Sequence, residues 1–289
     1  MKISVVIPVY NAEKYIEHAV ESALRQNQTG EVILVEDNSP DNALEICERL
    51  SKEYPRVRLL THGDGKNHGA GESRNLGIRN ARYDYIAFLD ADDFYVDNCF
   101  SMAEEVLSND TTVDGVYSAV GATFENEEAR RRYFATHPKE IATIERKANP
   151  GNLFRYLVMG GAGYIHLNGL VVKKAGLLKV GAFPQLRLHQ DMVLTIKLAA
   201  MQKLVAGDVD NPVSIRRLHD DNRITDPETN FSETMFMAYR YLLRWSRENH
   251  LPGDKQHIVR NKYRTLGYQY YRDAGKYPLA AYYYVLSHL

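Results

Sequence analysis

Residues 85–93 read Tyr-Ile-Ala-Phe-Leu-Asp-Ala-Asp-Asp, five apolar positions that run without a break into a stretch holding three carboxylates. An unbroken apolar run of this length marks a strand buried on both faces, as in a parallel sheet covered by helices on each side. Three upstream stretches, residues 3–9, 32–35 and 57–61, have the same character. Between them the apolar residues recur at helical spacing. Ala12, Tyr15, Ile16, Ala19, Val20, Ala23 and Leu24 make one face, with Asn11 as the expected cap, and Leu44, Cys47, Leu50 and Tyr54 make another. A short helix through Arg74 and Ala81 leads back to residue 85. Four such units before residue 95 predict an α/β fold built on a parallel sheet.

Downstream the pattern is mixed. Helices are expected near 96–107, 153–159 and 191–201, and strands near 113–119, 170–173, 204–209 and 213–217, with the charged stretch 125–147 as an exposed insertion. From about residue 227 the chain reads as helical, with Phe236, Tyr239, Leu242 and Leu243 on one face. Eight of the 20 tyrosines follow from Tyr263 onward. They fit helix packing, against the rest of the chain or a second subunit of a homo-oligomer, or peripheral contact with a bilayer. This organisation divides the chain into a unit of residues 1–225, with halves at about 1–119 and 120–225, and a C-terminal helical region at 226–289.

The 289 residues hold 36 Lys and Arg against 37 Asp and Glu, with 44% hydrophobic residues, the profile of a globular protein. A net charge of -1 supplies no excess to neutralise a phosphate backbone, so nucleic acid is not an expected partner. Cys47 and Cys99 lie far apart without metal-ligand spacing and read as small core residues in a reducing compartment. The apolar run at residues 3–9, interrupted by Pro8, is expected to be a buried strand rather than a secretory signal. No stretch approaches the roughly 18 apolar residues that span a bilayer, which points to a cytoplasmic protein.

Ligands of open α/β sheets bind beyond the carboxyl ends of the strands. There the chain places Pro8-Val9-Tyr10-Asn11, then Glu36-Asp37-Asn38-Ser39, then Asn67 and Gly69, then Asp90-Ala91-Asp92-Asp93. An Asp-x-Asp pair suits a hard divalent cation, which takes few carboxylate oxygens and leaves positions for diphosphate oxygens. Alone it is also a common turn element. The ordered set of PVYN, EDNS, N-x-G-(x)₄-R-N-x-G and FLDADD resembles the inverting glycosyltransferases of family 2 over roughly residues 1–223. That resemblance implies the GT-A fold, a Rossmann-like mixed sheet flanked by helices, here with a C-terminal helical appendage.

What the resemblance implies for the site can be carried over residue by residue. Pro8, Tyr10 and Asn11 would lie against the nucleotide, Asp37 would bond the base, and Glu36 would line the pocket where the family has a second aspartate. Asn67 and Arg74 would flank the nucleotide, with Arg74 meeting phosphate or bracing the Asp-x-Asp loop. Asp90 and Ala91 would contact ribose or sugar, Asp92 would ligate Mn²⁺ or Mg²⁺, and Asp93 would support the loop. The competing readings are local: Tyr10 as a core aromatic, and Asp37 as a cap on the following helix.

Inversion needs a general base on the acceptor side. The family's acidic dipeptide follows a Gly-x-Phe segment, and Gly181-Ala182-Phe183 leads here to His189-Gln190-Asp191, which makes Asp191 the implied base. Gln190 stands in the usual Glu position, and His189 becomes a candidate acceptor contact. Asp191 also fits a first-turn acid favoured by the helix dipole. The segment Arg217-Leu218-His219 resembles the family's Arg-x-His, which implies His219 near the metal and Arg223 near the phosphates. Gly160 to Gly163, with Tyr164, His166 and Asn168, would border the acceptor. The expectation is transfer of a sugar from a nucleotide-diphospho-sugar, a UDP-sugar first, to a glycan or lipid-linked acceptor in bacterial surface polysaccharide assembly. The alternatives are a binder without activity and another sugar-nucleotide enzyme such as a nucleotidyltransferase.

Overall fold

β1 (Ile3–Val9), β2 (Thr29–Glu36), β3 (Val57–Thr61) and β4 (Tyr85–Phe88) lie parallel in the order β3-β2-β1-β4. They are linked by α1 (Ile16–Leu24), α2 (Ala43–Glu53) and α3 (Ala70–Asn80). β-branched side chains pack well on a pleat covered from both sides, and the two faces of these strands feed two separate cores. Val5, Ile7, Val32 and Leu34 pack with Ile16, Val20, Cys47 and Leu50, whereas Val6, Ile33, Ile86 and Phe88 join the core on the opposite side. The computed structural model describes residues 1–136, 140–144, 150–161, 163–219 and 231–287.

After β4 the chain makes β5 (Phe94–Tyr95), α4 (Ser101–Asn109), β6 (Gly115–Tyr117) and β7 (Val120–Phe124). It continues through α5 (Glu127–Thr136), α6 (Leu153–Met159), β8 (Leu170–Lys173), α7 (Lys174–Lys179), α8 (Gln190–Met201), β9 (Leu204–Ala206) and β10 (Ser214–Leu218). The main sheet extends past β4 through β8, which is antiparallel to both β4 and β6, and ends at β9. It is therefore mixed, as expected of a GT-A fold. A second, three-stranded sheet has the order β5-β10-β7 and carries the end of β10 to the Asp-x-Asp loop.

α9 (Phe231–Glu248), α10 (Gly253–Asp273) and α11 (Tyr277–Ser287) form the C-terminal helical region. Phe236, Tyr239, Leu242 and Trp245 of α9 belong to the same core as Val6 and Phe88 of the sheet. Phe236 stacks on Tyr263 at 5.0 Å and on Tyr270 at 5.4 Å, with Tyr271 and Tyr283 edge-on. Helix packing thus accounts for part of the tyrosine-rich tail, while Tyr277, Tyr282 and Tyr284 of α11 are exposed. Among the described residues no helix is long and apolar enough to cross a membrane.

Several local expectations need correction. Asn11 does not cap α1: the cap position is Tyr15, and Asn11 instead takes a left-handed turn at φ 54°. The reason is that strand and helix are joined by a wider polar turn, a conformation Asn tolerates. The helix expected at 96–107 begins only at Ser101, and the single strand expected at 113–119 is two, β6 and β7, in different sheets. The charged stretch after residue 125 is not simply exposed. Ala129 and Tyr133 of α5 are buried, and Ala142 and Ile144 form bridges with Val120 and Gly163. Cys47 and Cys99 are free and buried, as their isolation in the sequence implies.

Candidate active site

The strand-end loops converge on a cleft of about 420 Å³. Pro8, Tyr10, Asn11, Asp37, Arg74, Asp90, Ala91, Asp92, Asp191 and His219 all line it. Asn67 does not, and faces an adjoining cavity of about 620 Å³ with Gly69, Glu72 and the 184–190 loop. Arg223 lies outside the described residues. Tyr10 is 42% exposed, so it stands at the rim and is not a core aromatic.

Two buried acids shape the nucleotide-side loops. Glu36 does not line the cleft: its carboxylate accepts the backbone N–H groups of Asn38 at 3.1 Å and Ser39 at 2.6 Å, folding the turn after β2. Asp37 does not cap α2. It accepts from the N–H groups of His68 and Gly69, both at 2.7 Å, and so ties the loop before α3 to the end of β2. Asn67 adds an amide bond to the Asp37 carbonyl at 3.0 Å. A carboxylate receiving the N–H of the Gly69 cap also lies at the favourable end of the α3 dipole.

The Asp-x-Asp loop is held from beneath. Asp93 accepts from the Asn168 amide at 2.6 Å and the Arg217 N–H at 2.8 Å, and Asn168 accepts the Asp90 N–H at 3.2 Å. Asn168 is therefore placed beneath the acidic loop. Burial, with Asp92 and Asp90 close by, pushes the Asp93 carboxyl well above the usual carboxylate range. Arg217 also bonds the Asp92 carbonyl at 3.1 Å and lies over the Tyr15 ring.

Arg74 joins the donor-side and acceptor-side acids. Its Nη2 donates to Asp90 at 2.5 Å and its Nη1 to Asp191 at 3.3 Å. Burial works to raise the Asp90 pKa, but the Arg74 charge outweighs it and holds the carboxyl below its ordinary value. At Asp191 the balance is reversed: desolvation first, then Asp90, push the carboxyl above its ordinary value despite Arg74. Asp191 sits in the first turn of α8, so it is both a helix-start acid and a cleft residue. Asn75 fixes the approach to that helix, donating to the Phe183 carbonyl at 3.1 Å and accepting its N–H at 2.9 Å.

Gln190 explains its own departure from the acidic dipeptide. Its Nε2 donates to the carbonyls of Leu186 and Arg187 and secures the 184–189 loop, a bond that a carboxylate in its place could not donate. The side chain lies where a Cβ on Gly71 would collide with it. His189 has φ 61° and bonds Thr234 at 3.0 Å, which links this loop to α9.

The divalent ion implied by the family can be tested against Asp92 and His219. Their Oδ2 and Nε2 are 3.3 Å apart, both facing the cleft. Two adjacent ligands each about 2.1 Å from one ion at right angles stand roughly 3.0 Å apart, so the pair fits a cation. No group of three or more ligating side chains occurs among the described residues. Mn²⁺ or Mg²⁺ sites accept that economy because substrate phosphates and water complete the shell.

Arg187, Arg216, Arg217 and Tyr15 also line the cleft, and the sequence assigns none of them a role there. Arg216 carried a readable signal. The alternation in Ser214-Ile215-Arg216-Arg217-Leu218 buries Ser214, Arg216 and Leu218 together, which places one arginine inward.

Residues 4–165 match the family model described as Glycosyl transferase family 2, more than half of the chain. Among curated relatives, an uncharacterized glycosyltransferase of Bacillus subtilis, EpsJ, is 35% identical over 147 residues, 50% of this chain and 40% of that one. The match thus spans less than half the length of that relative. A TarS fragment of S. aureus, residues 1–349, superposes with a TM-score of 0.66 at 19% identity, covering 95% of this chain and 74% of its own. The same fragment is also known in complex with UDP-GlcNAc. The mannosyltransferase PcManGT from Pyrobaculum calidifontis, in complex with GDP-Man and Mn²⁺, gives 0.57 at 16% identity, covering 99% and 75%. With the strand-end motifs gathered in one cleft of a GT-A fold and the family model matched across them, this chain belongs to glycosyltransferase family 2.

Proposed function

We propose that the cleft transfers a sugar from a nucleotide-diphospho-sugar to a hydroxyl of a glycan or lipid-linked acceptor, with inversion, in the assembly of bacterial surface polysaccharide. A UDP-sugar is the favoured donor, on the strength of the TarS complex with UDP-GlcNAc. The observation that carries the reading is the Arg74 bridge, which sets the acid of the donor loop, Asp90, and the acid at the start of α8, Asp191, on either side of one guanidinium. Pro8, Tyr10, Asn11 and Asp37 would form the nucleotide side, with Asn67 in the adjoining cavity and Asp90 and Ala91 toward ribose and sugar. The protein acts in the cytoplasm, with the exposed face of α11 available to the inner surface of the membrane.

Asp191 accepts the proton of the acceptor hydroxyl as its oxygen forms the new bond to the anomeric carbon. The bond from that carbon to the diphosphate oxygen breaks on the opposite face, and the diphosphate departs with the electron pair. Its carboxyl pKa, raised by desolvation and Asp90, makes Asp191 a better base than an ordinary aspartate, and Arg74 keeps it aimed. Asp92 and His219 would hold Mn²⁺ or Mg²⁺, which when bound would offset the charge of the departing diphosphate.

Asp191→Asn tests this reading. Sugar transfer should fall about 10²- to 10⁴-fold, the usual contribution of a positioned base, while UDP binding measured by calorimetry stays within a few-fold. Equal loss of binding and transfer, or retained transfer, would remove Asp191 from the role of base.

A further inference from the structure

Arg216 has no part in the mechanism above. It is 7% exposed, lines the cleft, and its guanidinium makes no hydrogen bond or ion pair with any described residue. None of its guanidinium nitrogens is shut off from the cleft, and its charge acts on Asp90, Asp93 and Asp191. The nearby carboxylates are already engaged: Asp90 and Asp191 by Arg74, and Asp93 by Asn168 and the Arg217 N–H. His166 lines the same cleft. Its Nδ1 accepts the Asn168 N–H at 3.3 Å, so the proton of the neutral ring lies on Nε2, which no described residue accepts. Burial, reinforced by the charge of Arg216, pushes the His166 pKa down to about 3 and keeps the ring neutral. Arg216 and His166 thus bring to the cleft two donors that no described residue accepts, one of them the planar fork that matches an oxyanion.

We propose that Arg216 and the Nε2–H of His166 form an oxyanion subsite that takes a carboxylate or phosphate carried by the transferred sugar or by the acceptor. The proposal rests on the sugar-transfer reading of the cleft, in which Asp92 and His219 serve the donor diphosphate. It makes this chain selective for an anionic substrate on one side of the reaction.

Calorimetric titration of the full chain in Mn²⁺ tests it, using UDP, UDP-glucose and UDP-glucuronate, and then glycerol and glycerol 3-phosphate on the UDP-saturated protein. The unsubstituted protein should prefer the anionic member of one pair. Arg216→Gln should weaken that ligand roughly tenfold to hundredfold more than it weakens UDP, and Arg216→Lys should recover part of the loss. Selective loss of UDP-glucuronate assigns the anion to the sugar, and selective loss of glycerol 3-phosphate assigns it to the acceptor. His166→Ala should weaken the same ligand and keeps the test open if Arg216→Gln does not fold. Loss of UDP itself in Arg216→Gln, or no preference for either anionic ligand in the unsubstituted protein, overturns the subsite. Failure of the unsubstituted protein to bind UDP overturns the UDP-sugar reading, and the subsite with it.

Discussion

Asp191 has Arg74 on one side and the open cleft on the other, and its protonation should govern the pH dependence of transfer. Desolvation and the charge of Asp90 raise its carboxyl pKa against the pull of Arg74. A base works deprotonated, so kcat/KM should rise with pH through that raised value and then level off. The acidic limb should lie above the roughly 3.9 of an ordinary aspartate and should vanish from the residual activity of Asp191→Asn. A limb at the ordinary value would show that Arg74 outweighs burial. The place of Asp191 at the start of α8 follows from the resemblance, whose Gly-x-Phe segment, here Gly181-Ala182-Phe183, leads to it, and the structure brings it into the cleft. The meaning of Arg216 lies in what surrounds it, residues that come from the loop after β4, from α3, from α8 and from the segment before β8.

At the scale of elements, α8 is held by a buried lysine. The Lys197 side chain is fully buried, donates to the Ala182 carbonyl at 2.7 Å and lies over the rings of Tyr241 and Trp245 of α9. Burial pushes its pKa down to about 8. The unfolded lysine titrates near 10.4, so between these values the unfolded state binds the extra proton and stability rises with pH. Urea unfolding of wild type against Lys197→Met should show the difference moving in favour of wild type from about pH 8 to about pH 10, by on the order of 3 kcal/mol. A constant difference would mean that the amine is neutralised by a partner in the fold. The same element shows a limit of local reading. The helix near 191–201 follows from apolar spacing, whereas the Gln190 staple to Leu186 and Arg187 depends on a loop that doubles back onto α3.

For the whole molecule, the shared core of sheet and C-terminal helices predicts cooperative unfolding. Phe236 is buried among four tyrosine rings and joins α9 to α10 and α11. Phe236→Ala should cost about 3–5 kcal/mol and lower the midpoint of one transition seen by both far- and near-ultraviolet circular dichroism. An early, separate transition confined to helical signal would show that residues 231–287 unfold as an independent unit. Because Trp245 also donates to the Val180 carbonyl at 3.2 Å and His189 bonds Thr234, the helices brace the loop that leads to Asp191.

The sequence by itself determined the alternation of strands and helices up to residue 95 and the polar residues at each strand end. Both are local: buried parallel strands demand continuous apolar runs, and the chain leaves the sheet where those runs stop. It also carried the family, because the four motifs keep their order along the chain. Only the tertiary structure decided the second sheet, the residues that surround Arg216, the placement of Asn168 beneath the acidic loop and the common core with α9. Each of these depends on pairing between residues far apart in sequence, such as Asn168 with Asp93, and no run of neighbouring residues encodes which distant segment will supply the partner.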